Sequence, residues 1–373
     1  MFGGLASGSK TTNPSSTLIT VQTLYSMSCP SKPGYRKAPL SIVSLAAMVK
    51  VGLVGCGFMG TMHANVYSVL DGADLVGVFD KSPDRASEFA AKWGGRVYGS
   101  YDEMIVEVDM VDICLPTYLH ADFTVKACEA GKHVMCEKPM ALSVSDADRM
   151  VEASKKAGVK LMVGHCIRFW PEYEELKAAV DDGRLGALLS ANFTRYGAFP
   201  SYTVDQWAAE PELCGGAMDM HIHDTDFALY LLGSPDHTVS HGSKDSRGVG
   251  HFFTTMRFGG VVVQLEGGWN LPQGNPFRME YRAVFDRGSM IYRDGELMIY
   301  EEGKDPVKHG ADQMEAEGAS GNLSSLGGYY NELAYLVDCI ENDTPLVTVT
   351  PESSRESLRV VLDEVAQIES KLS

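Results

Sequence analysis

The most constraining feature of this chain is a run of glycines placed directly between a strand and a helix. An apolar strand over residues 49–54 precedes the loop, and a helical stretch over about residues 61–70 follows it. Gly55 permits the tight turn, Gly57 lets the backbone approach a pyrophosphate, and Gly60 lets the helix pack close to the strand. The order therefore predicts a dinucleotide-binding unit. The loop residues expected to contact the dinucleotide are Gly55, Gly57, Phe58, Met59 and Gly60.

A carboxylate stands at the end of the second predicted strand. This strand runs from Ala73 to Phe79 and is followed by Asp80, about 20 residues after the glycines, where such folds place the acidic residue that binds a ribose. A carboxylate accepts hydrogen bonds from both ribose hydroxyls and repels a 2′-phosphate. Asp80 therefore favours NAD over NADP, and Lys81 either softens this preference or is a solvated surface lysine.

The strand predicted over Val111 to Leu115 ends in three further candidates for the cofactor cleft. Pro116 and Thr117 lie where this strand reaches the carboxyl edge of the sheet, and His120 falls in the first turn of the next helix. Ligands of open α/β sheets bind in the crevice at this edge. We therefore expect Pro116 and Thr117 to contact the cofactor, whereas His120 either lines the cleft or caps the helix.

Glu137, Lys138 and Pro139 form the motif around which the candidate chemistry is arranged. A strand predicted over His133 to Cys136 leads into it, and Pro139 ends that strand because proline cannot donate to a sheet ladder. A lysine at the mouth of a parallel strand points into the ligand crevice. The alternative is an ordinary solvated lysine. Glu137 and Lys138 are candidates for the cofactor site, and Lys138 also for the substrate site.

The hydrophobic period changes after residue 171. A helix is predicted from Glu172 to Asp182, and β-rich runs at hairpin spacing then indicate a large, mostly antiparallel open sheet. Two helices close the chain, at about residues 329–341 and 351–372. The predicted fold class is thus α/β, with an N-terminal Rossmann dinucleotide-binding domain followed by an α+β domain built on the open sheet.

A helical insertion between the first two strands of this sheet carries the second chemical cluster. Asp219 and His223 are spaced i,i+4 and project from one helix face. A carboxylate one turn from an imidazole can fix its tautomer, so His223 is a candidate general base. A buried structural pair is the alternative. A metal is disfavoured, because His221 and Asp224 fall on another face and the spacing provides no third ligand.

Composition and charge exclude several classes of partner. The 373 residues carry a formal net charge of −17, which argues against nucleic acid and anionic membranes as partners. Apolar runs stay below the roughly 18 residues that a membrane span needs. Eight scattered cysteines without a C-x-x-C pair predict buried free thiols in a reducing compartment, and hence a cytoplasmic location.

The first 47 residues differ in composition from the rest of the chain. They contain no Asp or Glu and are rich in Ser, Thr, Gly and Pro, which is typical of a segment that cannot bury enough surface to fold. This predicts a disordered or artefactual tail before Met48. We therefore divide the chain into the tail 1–47, a Rossmann NAD-binding domain 48–170, and a substrate-binding domain 171–373.

Taken together, these motifs resemble the Gfo/Idh/MocA oxidoreductases from Val49 onward. The residues that carry the resemblance are the glycine loop, Pro116 to His120, Glu137-Lys138-Pro139, Gly215-Gly216, Asp219 and His223. The resemblance implies that Lys138, Asp219 and His223 form the catalytic set, and that the open sheet mediates a homo-oligomer, a dimer or tetramer. Family members often carry Asn where Thr117 stands, which puts that cofactor contact in question.

The resemblance also implies where a substrate binds, between the Rossmann edge and the open sheet. A flat aromatic ring suits the C–H face of a sugar, and Arg168 and Asn270 are able to bind hydroxyl groups. Both tryptophans are alternatively core or oligomer contacts. The predicted substrate-binding residues are Lys138, Arg168, Trp170, Asp219, His223, Trp269 and Asn270.

Members of the family oxidise or reduce one hydroxyl of an inositol, sugar or sugar derivative with NAD(P). In that chemistry His223, oriented by Asp219, takes the proton of a secondary hydroxyl while its carbon loses hydride to NAD, and Lys138 stabilises the developing alkoxide. Two alternatives stay open. One is a redox-neutral glycosidase or lyase that works through a transient keto-sugar, and the other is a non-catalytic NAD-binding regulator. No metal is predicted.

Overall fold

Six parallel strands make up sheet A, the first of two sheets in the computed structural model of this chain. The structure describes residues 48–200, 204–310 and 327–372. The strands of sheet A are β1 (Val49–Val54), β2 (Ala73–Phe79), β3 (Arg96–Val97), β4 (Met110–Ile113), β5 (His133–Cys136) and β6 (Leu161–Val163). Their order is β3-β2-β1-β4-β5-β6, that of a Rossmann fold. Because the order reverses between β1 and β4, a crevice opens at their carboxyl ends.

Helices pack against sheet A, and serine side chains cap the start of three of them. They are α1 (Phe58–Tyr67), α2 (Pro83–Trp93), α3 (Tyr101–Ile105), α4 (His120–Glu129) and α5 (Val144–Ala157). Ser82, Ser100 and Ser143 accept hydrogen bonds from backbone N–H groups in the first turns of α2, α3 and α5. Every residue of β4 and β6 is buried, as expected for parallel strands covered on both faces.

Eight strands form sheet B in the second half of the chain. They are β7 (Leu188–Ala198), β8 (His237–Asp245), β9 (Gly248–Phe258), β10 (Val261–Leu271), β11 (Arg278–Phe285), β12 (Gly288–Arg293), β13 (Glu296–Glu301) and β14 (Val307–His309). Their order is β14-β13-β12-β11-β7-β10-β9-β8. Only β7 and β10 pair in parallel among these neighbours. Alternate residues of β11 are buried, so one face of this sheet packs on the core.

The second half also contains the helices that bring sheet B to sheet A. They are α6 (Pro171–Asp182), α7 (Pro211–Cys214), α8 (Met218–Leu232), α9 (Gly327–Glu341) and α10 (Pro351–Leu372). Helix α8 contacts β10 and α10, while α10 also contacts β8 and α5. The buried carboxylate of Glu364 on α10 lies 2.8 Å from His221 Nε2 and accepts a hydrogen bond from Thr225, so α8 is held in place by α10.

The predicted fold class is confirmed, with a parallel Rossmann sheet followed by a large, mostly antiparallel sheet. The apolar run from Val159 to Gly164 predicts a longer last strand of sheet A than the structure has, because β6 covers only Leu161–Val163. Gly158 adopts a left-handed conformation after α5, and the N–H of Val159 donates to the carbonyl of Ser154. Val159 therefore belongs to the helix C-terminus and not to the strand.

The described cysteines are free and buried, as predicted, whereas Cys29 lies outside the described residues. Within the described ranges, no helix is long and apolar enough to cross a membrane. The predicted tail 1–47 also lies outside those ranges. One hydrophobic core cluster includes residues from both sheets, so the division of the chain at residue 170 stays a prediction. The homo-oligomer and the cytoplasmic location also stay predictions.

Candidate active site

At two positions of the glycine loop after β1, there is no room for any residue larger than glycine. Gly55 has a φ of +96°, and a Cβ there would lie 2.5 Å from the carbonyl oxygen of Cys114. A Cβ on Gly60 would lie 2.1 Å from the carbonyl oxygen of Gly55. Gly57 caps α1 without a side-chain hydrogen bond, and the first turn of α1 holds no acidic residue. The N–H groups of that turn are thus suited to bind a pyrophosphate.

Asp80, directly after β2, is bound to the same loop. Its Oδ2 accepts from the N–H of Cys56 at 2.9 Å, its Oδ1 accepts from the N–H of Ser82 at 2.8 Å, and both oxygens pair with Arg85. Burial acts to raise the pKa of Asp80, but these hydrogen bonds outweigh it and hold the pKa below its usual value. The carboxylate is therefore charged and fixed beside the loop, where a ribose would lie.

Lys138, which follows β5, reaches across to the first turn of α8. Its Nζ donates to the carbonyl oxygen of Asp219 at 2.9 Å and lies 3.2 Å from Asp219 Oδ2. Burial acts to lower the pKa of Lys138, but the charges of Asp219 and Glu137 outweigh it and raise the pKa above its usual value. Lys138 is thus a partly buried cation at neutral pH, and the peptide between it and Pro139 is cis.

His223 lies one turn after Asp219 on α8 and, unlike Lys138, is uncharged. Burial lowers the pKa of His223 well below its usual value, and the charges of Lys138 and Arg195 add to the effect. The imidazole is therefore neutral at neutral pH and able to accept a proton. Its Nδ1 is buried and has no hydrogen-bond partner among the described residues.

A cavity of about 450 Å³ opens between the carboxyl edge of sheet A and sheet B. Its sheet A wall consists of Phe58, Met59, Glu137, Lys138 and Gly164, and its sheet B wall consists of Arg195, Gly197, Ala198, Phe277 and Met279. Asp219 and His223 project into it from α8, and Trp170 and Tyr329 also line it. Its volume is that of a site for a small organic molecule.

Family models match both halves of the chain that builds this cavity. Residues 49–165 match the oxidoreductase family with an NAD-binding Rossmann fold, and residues 173–291 match the GFO/IDH/MocA C-terminal domain. The chain belongs to the GFO/IDH/MocA family. NAD is therefore its cofactor, and the loop geometry of Gly55 and Gly60 with the charged Asp80 fits that dinucleotide.

Relatives in this family carry several activities. A Bacillus subtilis scyllo-inositol 2-dehydrogenase (NAD(+)) is 30% identical over 80% of this chain and 89% of its own. An Escherichia coli 2,7-anhydro-N-acetylneuraminate hydratase is 30% identical over 74% of this chain and 77% of its own. Other curated relatives are matched over only about half of their length, 53% and 55% in two cases.

A solved structure supports the fold of this GFO/IDH/MocA protein. An oxidoreductase from Agrobacterium radiobacter, solved with NAD+, L-tartaric acid and magnesium, aligns with a TM-score of 0.77. The alignment covers 86% of this chain and 97% of that one, at 19% identity. At this identity the likeness shows the shared fold and carries no statement about substrate.

The remaining cofactor candidates, Pro116, Thr117 and His120, follow β4. Pro116 precedes a short 3-10 turn that begins at Thr117, and Thr117 is buried. His120 was predicted either to line the cleft or to cap the helix, but its ring contacts two backbone carbonyls instead, and the helix has no side-chain cap. The His120 ring is buried, with Nδ1 at 2.8 Å from the carbonyl oxygen of Pro139 and Nε2 at 2.7 Å from that of Leu115. It clamps the segments that follow the two strands.

The described contacts pair Asp219 with Lys138 and not with His223, which Asp219 was predicted to orient. The two residues do share the cavity, as their i,i+4 spacing predicts. The carboxylate of Asp219, however, pairs with Lys138, and Nδ1 of His223 has no partner within the described ranges. Asp219 therefore holds the lysine, because the end of β5 packs against the first turn of α8.

Arg168, predicted to bind substrate, does not line the cavity. Its Nε and Nη2 donate to Asp226 at 2.8 and 2.6 Å, and its Nη1 donates to the carbonyl oxygen of Thr348 and to Ser353. All three guanidinium nitrogens are thus engaged, and the side chain is 3% exposed. Its contacts join the end of sheet A to α8 and to the start of α10, which is a structural role.

Trp269 and Asn270 do not line the cavity either. Trp269 is 2% exposed and packs edge-to-face on Phe199, which itself lines the cavity. Asn270 is exposed, and its amide bonds to Ser243 and lies 3.0 Å from His251 Nδ1. Of the two tryptophans only Trp170 reaches the cavity. Alternation along β10 does not reveal this, since Phe199 comes from another part of the chain.

Arg195 is the main residue that the sequence prediction missed. Its Nε and Nη2 donate to Asp224 at 3.0 and 2.9 Å, and it lines the cavity although it is 3% exposed. A signal was present in β7, because Arg195 shares its strand face with the buried residues Ala191 and Phe193. A cation on an apolar face requires a partner, and is a candidate for function.

Three residues, on α1, on β4 and directly after β4, bring possible metal-ligand atoms together. Ligand atoms of His63, Asp112 and Cys114 lie within 4.8 Å of one another. These groups hydrogen-bond one another, with His63 Nδ1 at 2.8 Å from Asp112 Oδ2 and the Cys114 thiol donating to Asp112 Oδ1 at 3.5 Å. The arrangement is better described as a hydrogen-bonded cluster.

Proposed function

We propose that this chain is an NAD-dependent dehydrogenase that oxidises a secondary hydroxyl of an uncharged cyclic polyol, sugar or glycoside to a ketone. The observation that carries the proposal is the convergence of Lys138, Asp219 and His223 on one cavity, whose lining also includes Phe58 and Met59 of the dinucleotide loop. A cation and a neutral base beside a hydride acceptor are what alcohol oxidation needs.

The protein groups divide the work on one substrate oxygen. NAD, when bound, supplies the acceptor for the hydride that leaves the carbinol carbon. His223 accepts the proton of the hydroxyl, for which its neutral state at neutral pH is required. Lys138, kept cationic by its neighbours, donates a hydrogen bond to the same oxygen and stabilises its alkoxide character. Loss of the hydride and the proton leaves the ketone.

Asp219 acts on the lysine in this scheme. Its contacts at 2.9 and 3.2 Å hold Nζ on the cavity side of the strand end. A flexible lysine side chain carries about 2 kcal/mol of rotamer entropy. Confining it in advance lowers the cost of aligning it with the substrate oxygen.

The charge balance of the cavity supports an uncharged substrate. The cations that line it, Lys138 and Arg195, are each paired with a carboxylate, of Asp219 and Asp224. The internal segments outside the described ranges, 201–203 and 311–326, contain no lysine or arginine. A phosphate or carboxylate on the substrate would therefore have to compete with an existing partner, at a cost of desolvation.

The remaining lining suits a hydroxylated ring. Trp170 and Phe277 offer apolar ring surfaces for C–H groups, and Gln273 and Asn275 offer amides for hydroxyl groups. The same combination of flat apolar surface and few polar groups is found in many small-molecule sites.

A substrate panel with NAD tests the proposal. Inositols, aldoses and neutral glycosides are compared with sugar phosphates and sugar acids, and NADH absorbance is recorded. Turnover is expected with neutral compounds. Turnover confined to the charged compounds would contradict the uncharged substrate, and no turnover with any of them, while NAD still binds, would contradict the dehydrogenase.

A redox-neutral elimination is the second candidate, and the hydratase relative favours it. A transient ketone acidifies the neighbouring C–H, so a leaving group can depart before the hydride returns. The two candidates differ in their cofactor balance. A dehydrogenase releases one NADH per product, whereas the redox-neutral reaction forms product with catalytic NAD and without net NADH.

A further inference from the structure

A buried row of charged groups lies behind the catalytic lysine and has no part in the scheme above. It begins at Asp112 in β4, whose Oδ2 accepts a hydrogen bond from the hydroxyl of Tyr67 at 2.8 Å. The Nδ1 of His63, on α1, lies 2.8 Å from the same oxygen and 3.0 Å from Oδ1. His63 and Asp112 are fully buried.

The other nitrogen of His63 faces the residue before the lysine. Nε2 lies 3.2 Å from Oε1 of Glu137, an ion-pair distance at which the geometry of a good hydrogen bond is not met. Oε2 of Glu137 in turn accepts from the backbone N–H of Lys138 at 3.1 Å. The row therefore reads Asp112, His63, Glu137, Lys138, with charges of alternating sign, and Lys138 continues it to Asp219.

The charges in this row depend on one another. Burial acts to lower the pKa of His63, but the Asp112 carboxylate against it raises the pKa well above its usual value. Burial likewise acts to raise the pKa of Glu137, and the contact with His63 outweighs it and lowers the pKa. A buried charge that loses its partner is strongly destabilised, so each of these groups stays charged only while its neighbour does.

We infer that His63, held by Asp112, is a positioning residue that fixes Glu137 and through it the backbone at Lys138. The inference rests on the proposed function, since Lys138 is the donor to the substrate oxygen there. The lysine is held at two points, its N–H by Glu137 and its Nζ by Asp219. A shift of about 1 Å at a reacting group is enough to cost about 100-fold in rate.

Titratable groups from several elements face this row, among them His165 and Cys166, which follow β6 and lie close enough to Glu137 to interact with its charge. Tyr67 comes from α1, Asp112 and Cys114 from β4 and its end, and Tyr329 from α9, with its ring 6.4 Å from that of His63. Glu332, also on α9, is buried, and neither of its carboxyl oxygens has a hydrogen-bond partner among the described residues. Burial raises its pKa well above the usual value, so Glu332 stays neutral and adds no competing charge.

The test compares His63→Gln with wild-type enzyme on a neutral substrate from the panel. The variant keeps a side chain that hydrogen-bonds but removes the cation. We expect kcat to fall about 10- to 100-fold with little change in NAD affinity. Without the cation the pKa of Glu137 rises, so protonation of Glu137 adds to that of His223 and the acid limb of the kcat profile moves to higher pH.

Asp112→Asn removes the same charge by another route, because His63 then loses the carboxylate that keeps it protonated. It should give the same shift of the acid limb, and it decides the question if His63→Gln does not fold. In a Glu137→Gln background, His63→Gln should cause no further loss, since both changes act on one pathway.

His133→Gln is the matched control. His133 lies at the other end of β5, about 13 Å from Glu137, where its Nδ1 accepts from the N–H of Lys160. Its substitution should leave kcat and the acid limb unchanged. If wild-type enzyme turns over substrate and folded His63→Gln or Asp112→Asn keeps its kcat and pH profile, the inference is wrong. If wild-type enzyme turns over nothing, the proposed function fails first.

Discussion

The two walls of the cavity differ in the kind of interaction that positions their side chains. The sheet A wall is built from short motifs, in which the glycine loop and the Glu137-Lys138 step follow directly from strand ends. The charged residue of the sheet B wall, Arg195, is placed by an ion pair with a residue distant in sequence. Arg195 is held by Asp224, while Arg168, equally buried, is held by Asp226 and stays outside the cavity. Local backbone geometry thus identifies one wall, and long-range pairing selects the residues of the other.

The largest expected effect lies where the two walls meet, at Lys138 and His223. His223→Ala and Lys138→Ala should each lower turnover by about 10²–10⁴, because each removes a group acting on the reacting oxygen. NAD affinity, measured by fluorescence titration, should change little. The losses should not add in the double variant. Normal turnover by both variants would return the regulator interpretation.

His223 also predicts how the rate of oxidation depends on pH. Because burial lowers the pKa of His223, the base becomes protonated only on the acid side of its usual value near 6.5. Oxidation should therefore be flat around neutrality and fall in acid, and this limb should be lost from the residual rate of His223→Ala. An ionisation at neutral pH that survives the substitution would belong to another group.

The two buried arginines give the next test, within the sheet B half. Arg168→Gln and Arg195→Gln should each lower the free energy of unfolding by about 3–5 kcal/mol, since each leaves a buried aspartate without its partner. Only Arg195→Gln should also raise the Michaelis constant of the substrate. Chemical denaturation and steady-state kinetics separate the two effects. A raised Michaelis constant in folded Arg168→Gln would restore that residue to the site.

Asp80→Ser tests the predicted ribose contact beside the glycine loop of sheet A. Loss of a charge-assisted hydrogen bond to a ribose hydroxyl costs about 1.5–3 kcal/mol, which corresponds to a drop of about 10- to 100-fold in catalytic efficiency with NAD. Efficiency with NADP should rise, since the carboxylate no longer repels a 2′-phosphate and Arg85, which pairs with Asp80 in the wild type, becomes available to bind it. Unchanged preference would place the ribose elsewhere.

The smallest effects are expected for the two tryptophans. Trp269→Phe should lower the free energy of unfolding by about 1–3 kcal/mol and leave the Michaelis constant unchanged, because Trp269 packs behind Phe199. Trp170→Phe should alter the Michaelis constant across the substrate panel, because Trp170 lines the cavity. The reverse outcome would exchange the roles assigned to them.

Much of the fold was predictable because its signals are local. The glycine loop, the strand that ends at Pro139 and the helix that carries Asp219 and His223 each depend on residues a few positions apart. The roles of Arg168, Trp269 and Asn270 were not predictable in this way. Each is decided by a contact from another element, from α8 for Arg168 and from the segment after β7 for Trp269.

The sequence by itself determined the order of strands and helices, the dinucleotide loop, and the presence of Lys138, Asp219 and His223 as a set. Only the tertiary structure decided their partners. Asp219 lies four residues from His223 yet pairs with Lys138, which is 81 residues away. Periodicity determines which face of an element a side chain occupies, but a pairing also depends on how two elements pack. That packing is a property of the whole core.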